Sequence, residues 1–446
     1  MAIVTIPGPT GPDMLRGIRQ MRASPPEFLA ACAEKFGPVV QFPIPRATVV
    51  YLADPNDVRH VLQKNHTNYI KETVQYSSLS LVTGSGLLTS DADVWRSMRR
   101  IMQPAFHAQM VGRVHSAVGR SITSLRHKVT DASEFVVTLD ELMLEISLDV
   151  VGAALFGSEF GSEGKSLVSA VADALHDVVK RAQQPLHLPA WFPTPSQQRF
   201  EQSLWAIDAA IDELIRRHRN SRDAGDGGDA TVLALLLQAR ADGLIGDQQV
   251  RDEIVTLIVA GHETVAATLT WSWLLLAAHP SVMRAVREEI DARPPEAAID
   301  EQLDGLHLTR AVVDECLRLY PPAWVVSRRS RGEDRLGGYE IPAGTTVITS
   351  PYALHRDQAL WPDPLAFQPE RFMASNPDRS VYLPFGAGPR LCIGREMALY
   401  EAPLVLASML REFDVEVLPK GPIGKDFGVT LRPNVAVPVT VTSRAV

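Results

Sequence analysis

From Pro55 to about Glu289, apolar residues return every three or four positions, the spacing of one face of a helix. The pattern is clearest through Leu144–Leu155, Leu167–Val179 and Phe200–Ile215, and a shorter helical stretch precedes it at Pro26–Phe36. On either side the pattern shifts to runs of Val, Ile, Thr and aromatic residues between Gly and Pro breaks. Val39–Phe42 and Thr48–Leu52, around a Pro-containing turn, predict a hairpin, and strands are predicted again across 338–350 and 413–442. Loops are marked by Pro185–Pro195, which holds Trp191 and Phe192, and by the Gly/Asp-rich Asn220–Asp229. The first residues, broken by Pro7, Pro9 and Pro12, read as irregular. No internal repeat is present. The expected fold class is mainly α with a small β region near 39–52, 338–350 and 413–442, assembled from distant segments as a single domain, 1–446.

The longest apolar stretch, Ile254–Ala278, approaches the roughly 20 residues that cross a bilayer. Its middle argues against a membrane, because Gly261, His262, Glu263 and Thr264 would carry polar and ionisable groups into lipid, and His279-Pro280 ends the run. A long helix buried in protein is the expectation.

Composition narrows the partners. A formal net charge of -8 and a sequence pI near 5.9 disfavour nucleic acid, which demands a surplus of Lys and Arg on some face. Cys32, Cys316 and Cys392 lie far apart in no metal-finger spacing, which fits a reducing cytoplasm. The N-terminus lacks a charged-then-apolar layout, so neither a signal peptide nor an anchor is expected.

The most informative segment is Phe385-Gly386-Ala387-Gly388-Pro389-Arg390-Leu391-Cys392-Ile393-Gly394, followed at once by a helical run from Arg395. Glycines let a backbone approach a flat ligand closely. Amides at a helix start favour thiolate over thiol, and a cysteine that binds iron does so as the thiolate. A buried packing cysteine is the commoner fate of a lone thiol. Against it, every fixed position of the cytochrome P-450 cysteine loop, Phe-Gly-x-Gly-x-Arg-x-Cys-x-Gly, is matched by Phe385, Gly386, Gly388, Arg390, Cys392 and Gly394. The chain resembles that family along nearly its whole length.

Further segments carry the resemblance. Glu315 and Arg318, one turn apart before Pro321-Pro322, resemble the family's Glu-x-x-Arg pair, and Arg371 of Pro369-Glu370-Arg371-Phe372 its second cation. All three are expected to be structural, holding the path to Cys392. Ala260-Gly261-His262-Glu263-Thr264 resembles the oxygen-activation motif, in which small residues leave room for dioxygen and Thr264, fed by Glu263, relays protons. A threonine in mid-helix also commonly bonds back to its own helix. His262 lies well around the helix from Ala260 and Thr264 and reads as a packed histidine. Trp95 and Arg99 resemble a Trp-x-x-x-Arg contact with haem propionates, and Arg329 a further propionate arginine, its register blurred by Arg328 and by Arg331 where the family often has alanine. Arg96, Arg100, Arg390 and Arg395 offer a basic face for an acidic electron donor, or an ordinary solvated cluster. Pro403, inside the helix after Cys392, predicts a bend.

The resemblance implies a triangular, mainly helical P-450 fold holding haem b, iron protoporphyrin IX, between the Ala260–Thr264 helix and the Cys392 loop, with Cys392 as axial ligand. It implies a soluble monooxygenase, monomeric and cytoplasmic, that spends dioxygen and electrons from NAD(P)H, delivered by ferredoxin and ferredoxin reductase. Its substrate would be an apolar small molecule, such as a terpenoid, polyketide or small peptide of specialised metabolism, hydroxylated or oxidatively cyclised. Pocket walls are expected from Tyr76–Leu88 including Leu87, from Trp191 and Phe192, from Val265 and Thr268, and from Trp324 with Val325. An oxygen-independent or peroxide-driven enzyme, or a haem sensor, would use many of the same parts.

Overall fold

A computed structural model describes residues 5–130, 135–157, 162–182, 194–223, 231–293, 305–374, 378, 380–418 and 421–444. Two compact units emerge, each drawn from three separated stretches of chain. The first comprises Met1–Gln75, Arg310–Arg395 and Ile423–Asn434, and the second Tyr76–Thr309, Glu396–Pro422 and Val435–Val446.

The first unit is organised by a five-stranded sheet in the order Val39–Phe42, Val49–Leu52, Thr346–Thr349, Val326–Ser330, Tyr69–Ile70. The predicted hairpin is there, antiparallel with Val39 opposite Leu52 and Phe42 opposite Val49. Alternation along its strands feeds two cores at once. Val39, Val50 and Leu52 join Val58, Leu62, Val347 and Leu383 on one face. Val40, Phe42 and Tyr51 join Phe28 and Cys32 on the other, which makes Cys32 a packing residue. Two two-stranded hairpins complete the β structure here, Asp334–Leu336 with Tyr339–Ile341 and Lys425–Phe427 with Leu431–Pro433. The N-terminal prolines do not prevent a helix, Gly11–Ala23. Pro12 falls in its first turn, where the missing N–H is harmless, and Thr10 with Asp13 forms a reciprocal cap.

The second unit is helical, with one three-stranded sheet, Phe135–Thr138, Pro438–Ser443, Phe413–Val417. Its spine is Asp247–Ala278, longer by two turns at its start than the apolar run that predicted it, and mostly buried in protein. Helix Leu139–Val151 packs along it so tightly that a Cβ on Gly261 would meet Val151 Cγ2 at 3.0 Å. The helix Pro195–Asp223 runs through Asn220, where a loop was expected, and Val74–Thr83 is helical within the expected Tyr76–Leu88 loop. Helix Arg395–Glu412 continues through the buried Pro403, which leaves the Leu399 carbonyl without its intrahelical donor.

Candidate functional site

In the first unit the chain approaching Cys392 is held by an ion pair with no exposure at either side chain. Arg318 meets Glu315 in a fork, Nε to Oε2 at 2.6 Å and Nη2 to Oε1 at 2.7 Å. Its other N–H groups donate to the carbonyls of His355 and Pro364, each at 2.7 Å, and of Ala366 at 3.0 Å. All five guanidinium donors are thereby used, the condition for keeping such a cation buried. Arg371 Nε stands 3.6 Å from Glu315 Oε1, an ion pair longer than a hydrogen bond, and its Nη2 donates to the Asp363 carbonyl at 3.0 Å.

His355, which belongs to none of the sequence motifs, joins this network to the cysteine loop. It is fully buried, its Nδ1 bonds the Arg318 carbonyl at 3.1 Å, and its Nε2 accepts the Leu383 N–H at 2.9 Å. Burial, with the Arg356 and Arg318 charges adding, pushes its pKa down to about 3, so the ring is neutral. Tyr382, beside it, donates to Asp314, and burial raises that carboxyl to about 6. Single-sequence reading offers little to flag a lone histidine of this kind.

The loop itself is tightly shaped. Gly386 and Gly388 have φ of 73° and 68°, a region glycine occupies without strain. A Cβ on Gly388 would stand 2.1 Å from the Leu62 carbonyl oxygen, so only glycine fits. The Cys392 N–H donates to the Phe385 carbonyl at 3.1 Å, and the Arg395 guanidinium stands 6.0 Å from the Phe385 ring centre. Cys32 and Cys316 are buried, whereas Cys392 is exposed. Arg390 ends the turn Gly388–Arg390 half-buried, Gly394 precedes the helix, and the Cβ side of Gly386 is open.

The arginine register departs from the expectation. On strand Val326–Ser330 successive side chains take opposite faces, and Arg329 is the exposed one, beside Gly344. Arg328 is buried in a crevice with Leu52, Val61 and Leu62, the residue against which Gly388 closes. Arg328 therefore replaces Arg329 as the inward cation. The small residue two positions on is then the buried Ser330, a sign the sequence did contain.

In the second unit, burial along the long helix is interrupted at the motif. Ala260 is exposed and Glu263 and Thr264 are half-exposed, between the buried Ile254–Val259 and Val265–Thr270. The Thr264 hydroxyl donates to the Ala260 carbonyl at 2.7 Å, the back-bond anticipated for a mid-helix threonine. That bond uses its proton and leaves the oxygen's lone pairs able to accept. Gly261 turns away from this opening toward Val151, so its lack of a side chain serves helix packing rather than room for dioxygen, a correction to its catalytic assignment. His262 is buried with Nδ1 on the Ile258 carbonyl at 2.6 Å. Trp95 and Arg99 lie half-buried on helix Ala92–Met102, with Arg99 also bonded to Gln103 at 3.0 Å. Arg96 pairs with Asp93, and Arg100 is exposed.

Of the expected pocket residues, Val265, Thr268 and Leu87 are buried, and Thr268 donates to the Thr264 carbonyl. Trp324 and Val325 are half-buried, with the Trp324 indole fixed by a bond to the Gly428 carbonyl at 3.0 Å and an edge contact to Phe427. Trp191 and Phe192 lie outside the described residues.

Comparison with known proteins decides the family. The cytochrome P450 family model matches residues 7–436. The chain belongs to the cytochrome P450 family. It is 33% identical over 439 residues to cytochrome P450 97B2, chloroplastic, of Glycine max, covering 84% of this chain and 75% of that one. It is 30% identical to pentalenene oxygenase of Streptomyces avermitilis, covering 90% and 89%. The crystal structure of CYP175A1 from Thermus thermophilus superposes with a TM-score of 0.79 at 30% identity, over 98% of this chain and all of that one. The fold is that of a P450, and the protein is a P450 monooxygenase. Haem follows from the family, and this P450's residues fit it: an exposed thiol, a nearby arginine and bare glycine backbone suit an iron porphyrin bearing carboxylates.

Proposed function

We propose that this P450 inserts oxygen into an apolar terpenoid, by hydroxylation or oxidative cyclisation, as one cytoplasmic, monomeric domain. The substrate class is supported by relatives named cyclooctat-9-en-7-ol 5-monooxygenase and pentalenene oxygenase, about 30% identical over most of the chain. Cys392 would be the thiolate ligand of haem b, with Arg390 and Arg328 meeting its carboxylates, and Trp95 and Arg99 match the family's propionate motif. Bound haem supplies dioxygen activation. Electrons come from NAD(P)H through a ferredoxin and its reductase, met by the basic residues Arg390 and Arg395.

Thr264 carries the distal chemistry. With its proton committed to the Ala260 carbonyl, its oxygen is oriented as an acceptor, while Glu263 would pass protons from solvent. The observation that carries the reading is the break in burial at Ala260–Thr264 on a helix otherwise buried from Asp252 to Trp273. The reduced, carbon monoxide-bound protein should show the thiolate-type Soret band, and Cys392→Ala should abolish it. A spectral screen of terpenoid hydrocarbons against polyketides and small peptides tests the substrate. If only the latter two classes perturb the spectrum, the terpenoid reading is wrong.

A further inference from the structure

One face of the long helix closes on the backbone of Gly84–Leu88. Asp252 Oδ2 accepts the Ser85 N–H at 2.8 Å, and Glu253 Oε2 accepts the Leu87 N–H at 2.9 Å. The remaining oxygens are also taken. Asp252 Oδ1 receives Gln248 Nε2 at 2.8 Å and Arg251 Nη1 at 3.3 Å, and Glu253 Oε1 receives Gln249 Nε2 at 2.9 Å. The Gln249 amide donates to the Ser85 carbonyl as well, at 3.1 Å, and Arg251 to the Val82 carbonyl at 2.9 Å. A Cβ on Gly84 would stand 2.1 Å from the Asp252 carboxylate, and one on Gly86 2.0 Å from Thr256 Oγ1, so the segment lies directly on the helix. From the segment's own side, Thr89 closes the turn on the Gly84 carbonyl at 2.7 Å.

Two successive carboxylates, 3% and 0% exposed, are costly to bury and are tolerated here because each is fully occupied as an acceptor. Their place on the helix gives the arrangement a use. Glu253 and Ala260 are seven residues apart, two turns, and therefore share a face about 10 Å apart along the axis. The segment carrying Leu87 thus crosses the same face that opens at Ala260.

We propose that Asp252 and Glu253 are positioning residues that fix Gly84–Leu88 as the wall limiting ligand size on the Ala260 side, and so set substrate selectivity. This rests on the reading of Ala260–Thr264 as the dioxygen side. An acid is required at each position. In Glu253→Gln an amide N–H would face either the Leu87 N–H or the Gln249 amide, both donors, and Asp252→Asn meets the same conflict.

The test uses the haem-loaded protein in four forms: wild type, Glu253→Gln, Asp252→Asn and the milder Gln249→Met, in case either acid variant fails to fold. Amide exchange over Gly84–Leu88 should accelerate on the order of tenfold in the variants, as loss of a charge-assisted bond predicts. Imidazole and 4-phenylimidazole, titrated by visible absorbance, report the wall. Imidazole should bind all forms alike, whereas the affinity ratio of the two ligands should change on the order of tenfold in the variants. An unchanged exchange rate, or faster exchange with an unchanged ratio, overturns the clamp while leaving the haem site intact. No imidazole shift in wild type overturns the site reading, and this proposal with it.

Discussion

At the residue scale, Thr264 and Arg328 are the decisive positions. Thr264→Ala should continue to consume oxygen while product formation falls roughly a hundredfold, the low end of what a group positioned in a proton-transfer path contributes. Thr264→Ser should recover much of that loss, and the ratio of product to NAD(P)H consumed measures it. A peroxide-driven enzyme would be little affected. Arg328→Ala should lower haem retention, read as the absorbance ratio of Soret band to protein, and Arg329→Ala, a change at an exposed site, should move stability by less than about 0.5 kcal/mol. Cys392, Arg390 and Thr264 could be nominated from the sequence because each belongs to a motif of fixed spacing. Arg328 and Arg329 were separated in the sequence only by the small Ser330 two positions after the first, since neighbours on a strand differ in the face they take, which the strand pairing makes plain. Gly261 misled for a related reason: the same missing side chain serves a groove or a helix contact, and only Val151 tells which.

At the scale of elements, the buried Glu315–Arg318 fork ties helix His307–Leu319 to the segments before Cys392. Arg318→Leu or Glu315→Gln strands a buried partner and should cost about 3 to 5 kcal/mol, seen in thermal unfolding and as haem-poor protein. His355 adds a pH dependence. Its folded pKa, about 3, lies below the usual 6.5, so the unfolded chain binds more protons between these values. Stability is complete above 6.5 and falls by about 1.4 kcal/mol per pH unit as acid is added toward 3. Glu253 acts in the opposite sense. Burial raises it from 4.5 to about 7, so ionising it costs stability as pH rises through 7, and the acceptance of N–H groups by both of its oxygens belongs to the carboxylate formed there. Acid unfolding of His355→Gln should lack the His355 increment, and a matching acid slope in both proteins would refute the assignment. Helix existence was legible from periodicity, whereas helix ends were not. Gly11–Ala23 hid behind prolines because a first-turn proline and an interior one look alike in a string of letters.

For the molecule as a whole, the legible features were the helical middle and the terminal strands. The pairing of distant strands was not, because no local pattern records a partner hundreds of residues away. Pro438–Ser443 is the middle strand of its sheet, flanked by Phe135–Thr138 and Phe413–Val417. Arg444 just beyond pairs with Asp291 at 2.6 Å. Truncation after Asn434 leaves both flanking strands with open edges and should yield aggregated protein without bound haem. Soluble, coloured truncate would show that the sheet is dispensable.

The spine helix has a consequence before the protein is complete. Asp247–Ala278 is apolar and long enough to pass for a membrane span, yet in the finished fold most of it is shielded. During synthesis it leaves the ribosome well over a hundred residues ahead of Pro438–Ser443. Helix Leu139–Val151, made earlier, is on hand to cover one side, but at roughly 5 to 20 residues per second the contact with Phe413–Val417 waits on the order of ten seconds. Lower growth temperatures should therefore raise the yield of intact enzyme, measured as haem-loaded protein per cell.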